Sequence, residues 1–256
     1  MRLSNKMLVV TGAGLFSLMC GTAQADGLTD LKAALTRLQG QAPLKAVIEA
    51  KTWNRQGEGS EQVETNGLAS VAVDDGARGL QVLYSKDMLA RLEVEEHAKE
   101  KNAKTKTPTL SAFKEFNSTE LRPMISASGG MLRALEKHVF KSEKMESYNG
   151  KPARLLNFDL PLERLPEDAR KYVKKFEGSL DIWIAADGTP LASRSHQNMS
   201  GRAFVVVSFE QKNENESVYS QVGDRLLTVR KETKSSGSGM GEKGESKVVK
   251  TLLVQS

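Results

Sequence analysis

Cysteine is almost missing from this chain: its 256 residues contain one, Cys20. That residue lies in a segment with the grammar of a secretory signal. Arg2 and Lys6 give a positive start, Met7–Met19 is mostly apolar and uncharged, and Ala23-Gln24-Ala25 supplies a small-x-small cleavage pattern before Asp26. The 13 residues of that apolar core are fewer than the roughly 20 that span a bilayer. A signal peptide over 1–25, cut after Ala25, and a periplasmic product are therefore expected. Leu18-Met19 lacks the small residues that acylation of Cys20 would need. With Cys20 removed, disulfides, thiolate metal sites and cysteine nucleophiles are excluded together.

Burial alone must then hold residues 26–256. A chain of that length buries about 70–75% of its extended surface, and one domain is expected. Histidine is scarce as well. His97, His138 and His196 stand alone, none with a second histidine four residues away, so zinc-helix spacing is absent. Charge of one sign is not in large excess: 37 basic against 32 acidic side chains, a formal +5 that falls to +3 without Arg2 and Lys6. That is too little for a nucleic-acid binder, yet it suits transient contact with an anionic membrane surface.

Catalytic patterns are equally thin. Ser111-Ala112-Phe113-Lys114 has Ser-x-x-Lys spacing without its companion Ser-Asp-Asn and Lys-Thr-Gly elements. Residues 237–244 have phosphate-loop composition but not the Gly-Lys-Ser/Thr ending. Asp74-Asp75 and Asp187 read as turn formers, through local bonds to backbone N–H groups. The chain reads as non-enzymatic, with no catalytic residue, metal ligand or cofactor expected.

What is present is a change of period. Leu28, Leu31, Leu35 and Leu38 form one helical stripe, capped by Asp26 or Thr29 and stopped by Gly40 and Pro43. Leu44, Ala46, Ile48 and Ala50 then alternate with polar residues, the rhythm of a half-buried strand, continued over 61–73 and 79–84. Residues 86–138 interrupt the sheet. Met88, Leu89 and Leu92 open a helix that gives way to a charged insert at 93–106, expected to be solvated or mobile. Two short helices follow, broken by Pro123 and Gly129-Gly130.

Strand rhythm returns at Val139. Asn149-Gly150 marks a hairpin joining 139–148 to 153–160. A helix is expected over 166–177, with Ala169, Tyr172, Val173 and Phe176 on one face and Arg170, Lys171, Lys174 and Lys175 on the other. Strands at 180–185, 191–199, 202–210, 216–222, 225–234 and 247–254 complete a meander, with a flexible Gly/Ser-rich loop at 235–246. Residues 203–207 and 248–254 are apolar at successive positions, which predicts cover on both sheet faces. The fold class is α+β with an antiparallel sheet.

At 176–191, Phe-Glu-Gly-Ser-Leu-Asp-Ile-Trp-Ile-Ala-Ala-Asp-Gly-Thr-Pro-Leu, a tryptophan-bearing strand, an acidic-Gly turn and a Pro-Leu strand entry resemble the LolA, LppX and RseB N-terminal-domain superfamily. The order of elements agrees along most of residues 26–256. The resemblance implies a half-open barrel, a curved antiparallel sheet with helices packed on its concave face, that carries or senses acyl chains or lipoproteins in the envelope. An early-strand arginine of the lipoprotein carriers has no clear match among Lys51, Arg55 and Arg78.

Strand alternation nominates Leu156, Phe158, Ile182, Ile184, Phe204 and Val206 for an apolar ligand cavity between sheet and helices. Lys171, Lys174 and Lys175 are nominated for a lid or membrane-facing element. The expected partner is a lipid or acylated ligand. The alternative is an envelope stress sensor or protein-interaction module that holds an envelope protein with the same fold.

Overall fold

The computed structural model describes residues 26–203, 207–239 and 242–255; the expected signal segment lies outside them. The elements run α1 (Gly27–Arg37), β1 (Leu44–Gln56), β2 (Val63–Gly76), β3 (Gly79–Leu83), α2 (Lys86–Lys101), α3 (Pro108–Phe113), α4 (Ser118–Ile125) and α5 (Ser128–Lys137). Then come β4 (Val139–Tyr148), β5 (Lys151–Asp159), α6 (Glu167–Arg170), β6 (Val173–Ile184), β7 (Pro190–Ala203), β8 (Val207–Val222), β9 (Arg225–Gly239) and β10 (Glu242–Val254). All ten strands form one antiparallel sheet in the order β3-β2-β1-β10-β9-β8-β7-β6-β5-β4, open between β3 and β4. The fold is α+β.

Directly opposed residues of antiparallel strands point to the same face. One rung therefore ties the whole sheet together: Leu156, Ile182, Ser193, Ser217, Lys231, Lys250, Ala50 and Ala69 are successive partners from β5 to β2. It is apolar at both ends and polar in the middle. Each apolar end is buried under its own helices. Ile48, Ala50, Val71 and Leu252 meet Met88, Phe116, Leu121 and Met124 of the α2–α4 segment. Leu156, Phe158, Ile182 and Ile184 meet Leu31 and Leu35 of α1 and Met131 and Leu135 of α5. The two clusters come together at β9, where Leu226 belongs to one and Leu227 to the other.

Helix ends are capped by local and by distant groups. Asp26 caps α1 by accepting from the Leu28 N–H at 3.1 Å. The charged insert does not stay loose: α2 continues to Lys101, and its Glu95 carboxylate accepts from the Thr109 and Leu110 N–H groups at 3.1 and 2.8 Å. An acceptor at the α3 N-terminus satisfies donors that no turn of helix can. Pro123 lies inside α4 rather than breaking it, and Gly129-Gly130 lies in the first turn of α5. The break falls at Ser126-Ala127, where the Ala127 N–H donates to the Leu226 carbonyl.

The Gly/Ser-rich stretch at 235–246 is another correction. Residues 235–239 extend β9 and 242–246 extend β10, paired from Glu242–Gly239 to Ser246–Ser235. Composition predicts flexibility there, but β8 and β1 flank the pair and supply ladders on both outer edges.

Candidate functional site

The structure brings four of the nominated cavity residues together. Leu156, Phe158, Ile182 and Ile184 share one face and are at most 2% exposed, packed against α1 and α5 as a closed core. Phe158 also meets the edge of Phe140, with ring centroids 5.5 Å apart. Phe204 and Val206 lie outside the described residues. Ala203 pairs with Val207 at the end of the described β7–β8 ladder. The second expected two-sided strand is covered on one side only: Leu252 is buried, whereas Leu253 is 70% exposed.

The helix expected over 166–177 does not form. Only Glu167–Arg170 is helical, and Val173–Ile184 is strand β6. Phe176, Gly178, Leu180, Ile182 and Ile184 already fall at two-residue spacing, and pairing of Val173–Gly178 with Gln197–Gly201 satisfies their backbone groups. Lys174 and Lys175 are exposed on that strand, and Lys171 is exposed in the turn before it. Asp75 is likewise no turn residue. It lies in β2 and its carboxylate accepts from the buried Arg225 guanidinium at 2.6 Å.

The isolated side chains serve local contacts. His97 Nδ1 is 3.4 Å from Glu100, His138 Nδ1 is 2.7 Å from the Ala134 carbonyl, and the Ser111 hydroxyl donates to the Thr107 carbonyl.

The middle of the helix-covered face carries a charge centre. Lys250 of β10 is 2% exposed, and its Nζ lies 2.7 Å from Glu115 and 2.6 Å from Glu120. Glu115 sits on the 3₁₀ turn Lys114–Phe116 and Glu120 on α4, so one buried lysine fastens that part of the helical layer to the sheet. Lys231 of β9 stands 3.8 Å from the same Glu120 carboxylate. Burial pushes the Glu120 carboxyl up, but the Lys250 hydrogen bond and the charges of Lys250 and Lys231 outweigh it and hold it below the ordinary range. A cavity of about 290 Å³ opens beside this centre, lined further by Asn215, Thr233 and Val248.

Beyond it helix cover thins: α3 still lies on the β1–β2 end of the next rung, where Gly67 faces Pro108 and Ala112. The next rung across β7, β8, β9, β10, β1 and β2 reads Ser195, Asn215, Thr233, Val248, Thr52, Gly67. The rung after that reads Gln197, Asn213, Ser235, Ser246, Asn54, Thr65, and the third reads Met199, Gln211, Gly237, Gly244, Gln56, Val63. None of these side chains is charged. The opposite face of the same strands is the reverse. There Arg194 pairs with Glu216, Arg55 with Glu245, and Glu232 gathers Lys234 and Lys247. Hydrogen bonding from Lys247 is the main reason the Glu232 carboxyl lies below its ordinary range.

No family model, curated protein or solved structure matches this chain.

The Lys250 centre and the uncharged rungs went unnoticed in sequence for different reasons. Lys250 lies at an apolar-phase position of β10, between Val248 and Leu252, and that phase was its only signal. The rungs were announced more clearly: in Gln211-Lys-Asn-Glu-Asn-Glu-Ser217 charged and uncharged residues alternate with period two.

Proposed function

We propose that this chain is an exported, non-enzymatic binding protein of the cell envelope, with the half-open architecture of the LolA, LppX and RseB N-terminal-domain superfamily. It shelters a lipid, acyl chain or lipoprotein between a curved sheet and the helices on its concave face. One observation carries the reading: the floor under the helices is apolar at both ends of an open sheet. Its cover is short. Over Leu156, Phe158, Ile182 and Ile184 lie helix α1, of 11 residues, and α5, of 10, lengths that have little stability of their own and depend on the floor beneath them. Moving such a cover aside offers an acyl chain Leu156, Phe158, Ile182 and Ile184, at roughly 25 cal/mol per Å² of apolar surface removed from water. Phe204 and Val206 are assigned to that floor by sequence alone. Organic extraction and mass spectrometry of gently purified protein test the proposal. A co-purifying lipid, or saturable binding of a fluorescent fatty acid, is expected; the absence of both removes it.

A second reading, a sensor or interaction module for an envelope protein, is favoured by one feature of the far face. Leu253, Val47, Ala72 and Leu83 form an apolar rung across β10, β1, β2 and β3, with Leu83 and Leu253 more than half exposed. Exposed apolar patches on a soluble surface mark contact sites. Pull-down from envelope extract, compared between the parent chain and Leu253→Ser, separates the readings.

A further inference from the structure

The bare half of the helix-side face is built from amides, hydroxyls and glycine in a chain that is 27% charged. Charged side chains crowd the opposite face of those same strands, so across these three rungs the exclusion follows the face and not the segment; it ends at the next rung, where Glu242 stands opposite Gly239. We propose that this uncharged face binds a linear, uncharged oligosaccharide.

A groove of about 520 Å³ runs along it; Asn54, Gln56, Gln211, Ser235, Gly237 and Ser246 line it, together with the charged Glu210, Glu242, Lys243 and Glu245. Small-ligand sites fall in the same size range, about 300–1,000 Å³. Asn and Gln each present a carbonyl acceptor and an NH₂ donor pair, the combination that sugar hydroxyls need. Half of the first rung is linked internally: the Asn215 amide donates to Ser195 at 3.3 Å, and the Thr233 hydroxyl donates to Asn215 at 2.9 Å, whereas the buried Thr52 hydroxyl has no partner among the described residues. Farther out, Asn54, Gln56, Gln211 and Asn213 make no side-chain hydrogen bond to another described residue, and their polar groups face solvent and ligand.

Shape agrees with chemistry. Gly237 and Gly244 oppose each other across β9 and β10, which lowers the floor so that a ring can approach the backbone. At the end of the groove lies Phe209, whose ring edge would touch a Cβ placed on Gly201; an aromatic face there accepts the C–H side of a sugar. Neighbouring strands lie about 4.8 Å apart, close to the length of one hexose in an extended chain. A glycan crossing the strands therefore meets a new strand with each unit.

Other ligand classes fit less well. Among the described residues near the groove each cation an anion could meet is paired: Lys250 and Lys231 with Glu115 and Glu120, and Lys243 and Arg55 with Glu58 and Glu245. An acyl chain finds Val63, Met199 and Val248 separated by amides and glycine. The site is separate from the floor under the helices, so it stands or falls independently of lipid carriage.

Calorimetric titration of the full chain with cellohexaose, maltohexaose and chitohexaose tests the proposal. At least one should bind with one-to-one stoichiometry. Affinity should fall about tenfold or more, roughly 1.4 kcal/mol, in the Asn54→Asp/Asn213→Asp variant and in Phe209→Ala. The far-face variant Lys212→Gln/Glu214→Gln should bind like the parent, and thermal unfolding verifies that each variant is folded. The proposal is overturned if none of the three sugars binds at millimolar concentration, or if the groove variants bind undiminished. It is also overturned if sedimentation shows those variants dissociating a dimer, since the face would then belong to a second copy.

Discussion

The Lys250 ammonium lies 2.6 Å from the Glu120 carboxylate, although one residue sits in the last strand and the other in a helix 130 positions earlier. Glu115 closes on the same nitrogen at 2.7 Å. Removing one partner of such a buried group leaves the others desolvated and unpaired, the expensive case for ionic contacts.

Lys250→Ala should therefore destabilise the fold by about 2–4 kcal/mol. A triple replacement, Lys250→Met with Glu115→Gln and Glu120→Gln, should recover most of that, because no charge is left uncompensated. Urea unfolding of the two variants checks the ordering. A single substitution no worse than the triple one would show that the centre holds nothing.

Acid should loosen the α2–α4 layer before the rest. The Glu120 carboxyl titrates below the ordinary glutamate value of 4.5 in the folded chain. Its stabilisation is thus complete above that value and is lost as pH falls through the lower folded one. Glu115, Lys231 and Lys250 are the charged groups facing it. Hydrogen exchange at about pH 3.5, in the range where carboxylates protonate, should speed up at Leu121–Ile125 while Leu31–Leu35 stays protected. Equal loss in both regions would refute the assignment.

Gly188→Ala should cost about 2–4 kcal/mol, combining positive-φ strain with overpacking. The glycine has φ +83°, and a methyl group there would lie 2.3 Å from the Asp30 carbonyl oxygen. The turn carrying it is already fixed by Asp187, whose carboxyl is held low chiefly by the Thr189 N–H. Because α1 rests on this turn, the cost should appear as a lower melting temperature with no change in sugar binding.

Leu156→Ala removes a fully buried side chain and should destabilise by about 2–5 kcal/mol. If the floor under α1 and α5 also receives an acyl chain, the cavity left behind should change fluorescent fatty-acid affinity. Sugar affinity should not move.

Local chemistry made much of this fold legible. The Asn149-Gly150 turn has the positive φ values its sequence asks for, 50° and 76°, and the leucine stripe of α1 buries Leu31, Leu35 and Leu38 as its spacing requires. Leu156, Phe158, Ile182 and Ile184 were found from alternation alone, although as a packed core and not as an open cavity. Misreadings arose where long-range pairing overrode local pattern. Val173–Phe176 is amphipathic as a helix, yet it pairs with β7; the Ser/Gly stretch is loop-like, yet it completes β9 and β10. Glu95 reads as one more solvated acid until Thr109 and Leu110 arrive. Arg225–Asp75 and Lys250–Glu120 join residues 150 and 130 positions apart, a distance at which composition and periodicity carry no information.

Neighbouring strands are consecutive in sequence except at one seam, where β1 pairs with β10. That seam sets an order of assembly. Strands β4 to β9 can zip up hairpin by hairpin as they are made, but β1, β2 and β3 have no strand pairing with them until β10 arrives. Lys250, which that strand carries, is also the anchor of the overlying helices. Strands β1 to β3 must wait for β10, so loss of that strand should leave β4 to β9 paired and β1 to β3 without that ladder to join. Such late, long-range closure belongs to the slow class of folding steps.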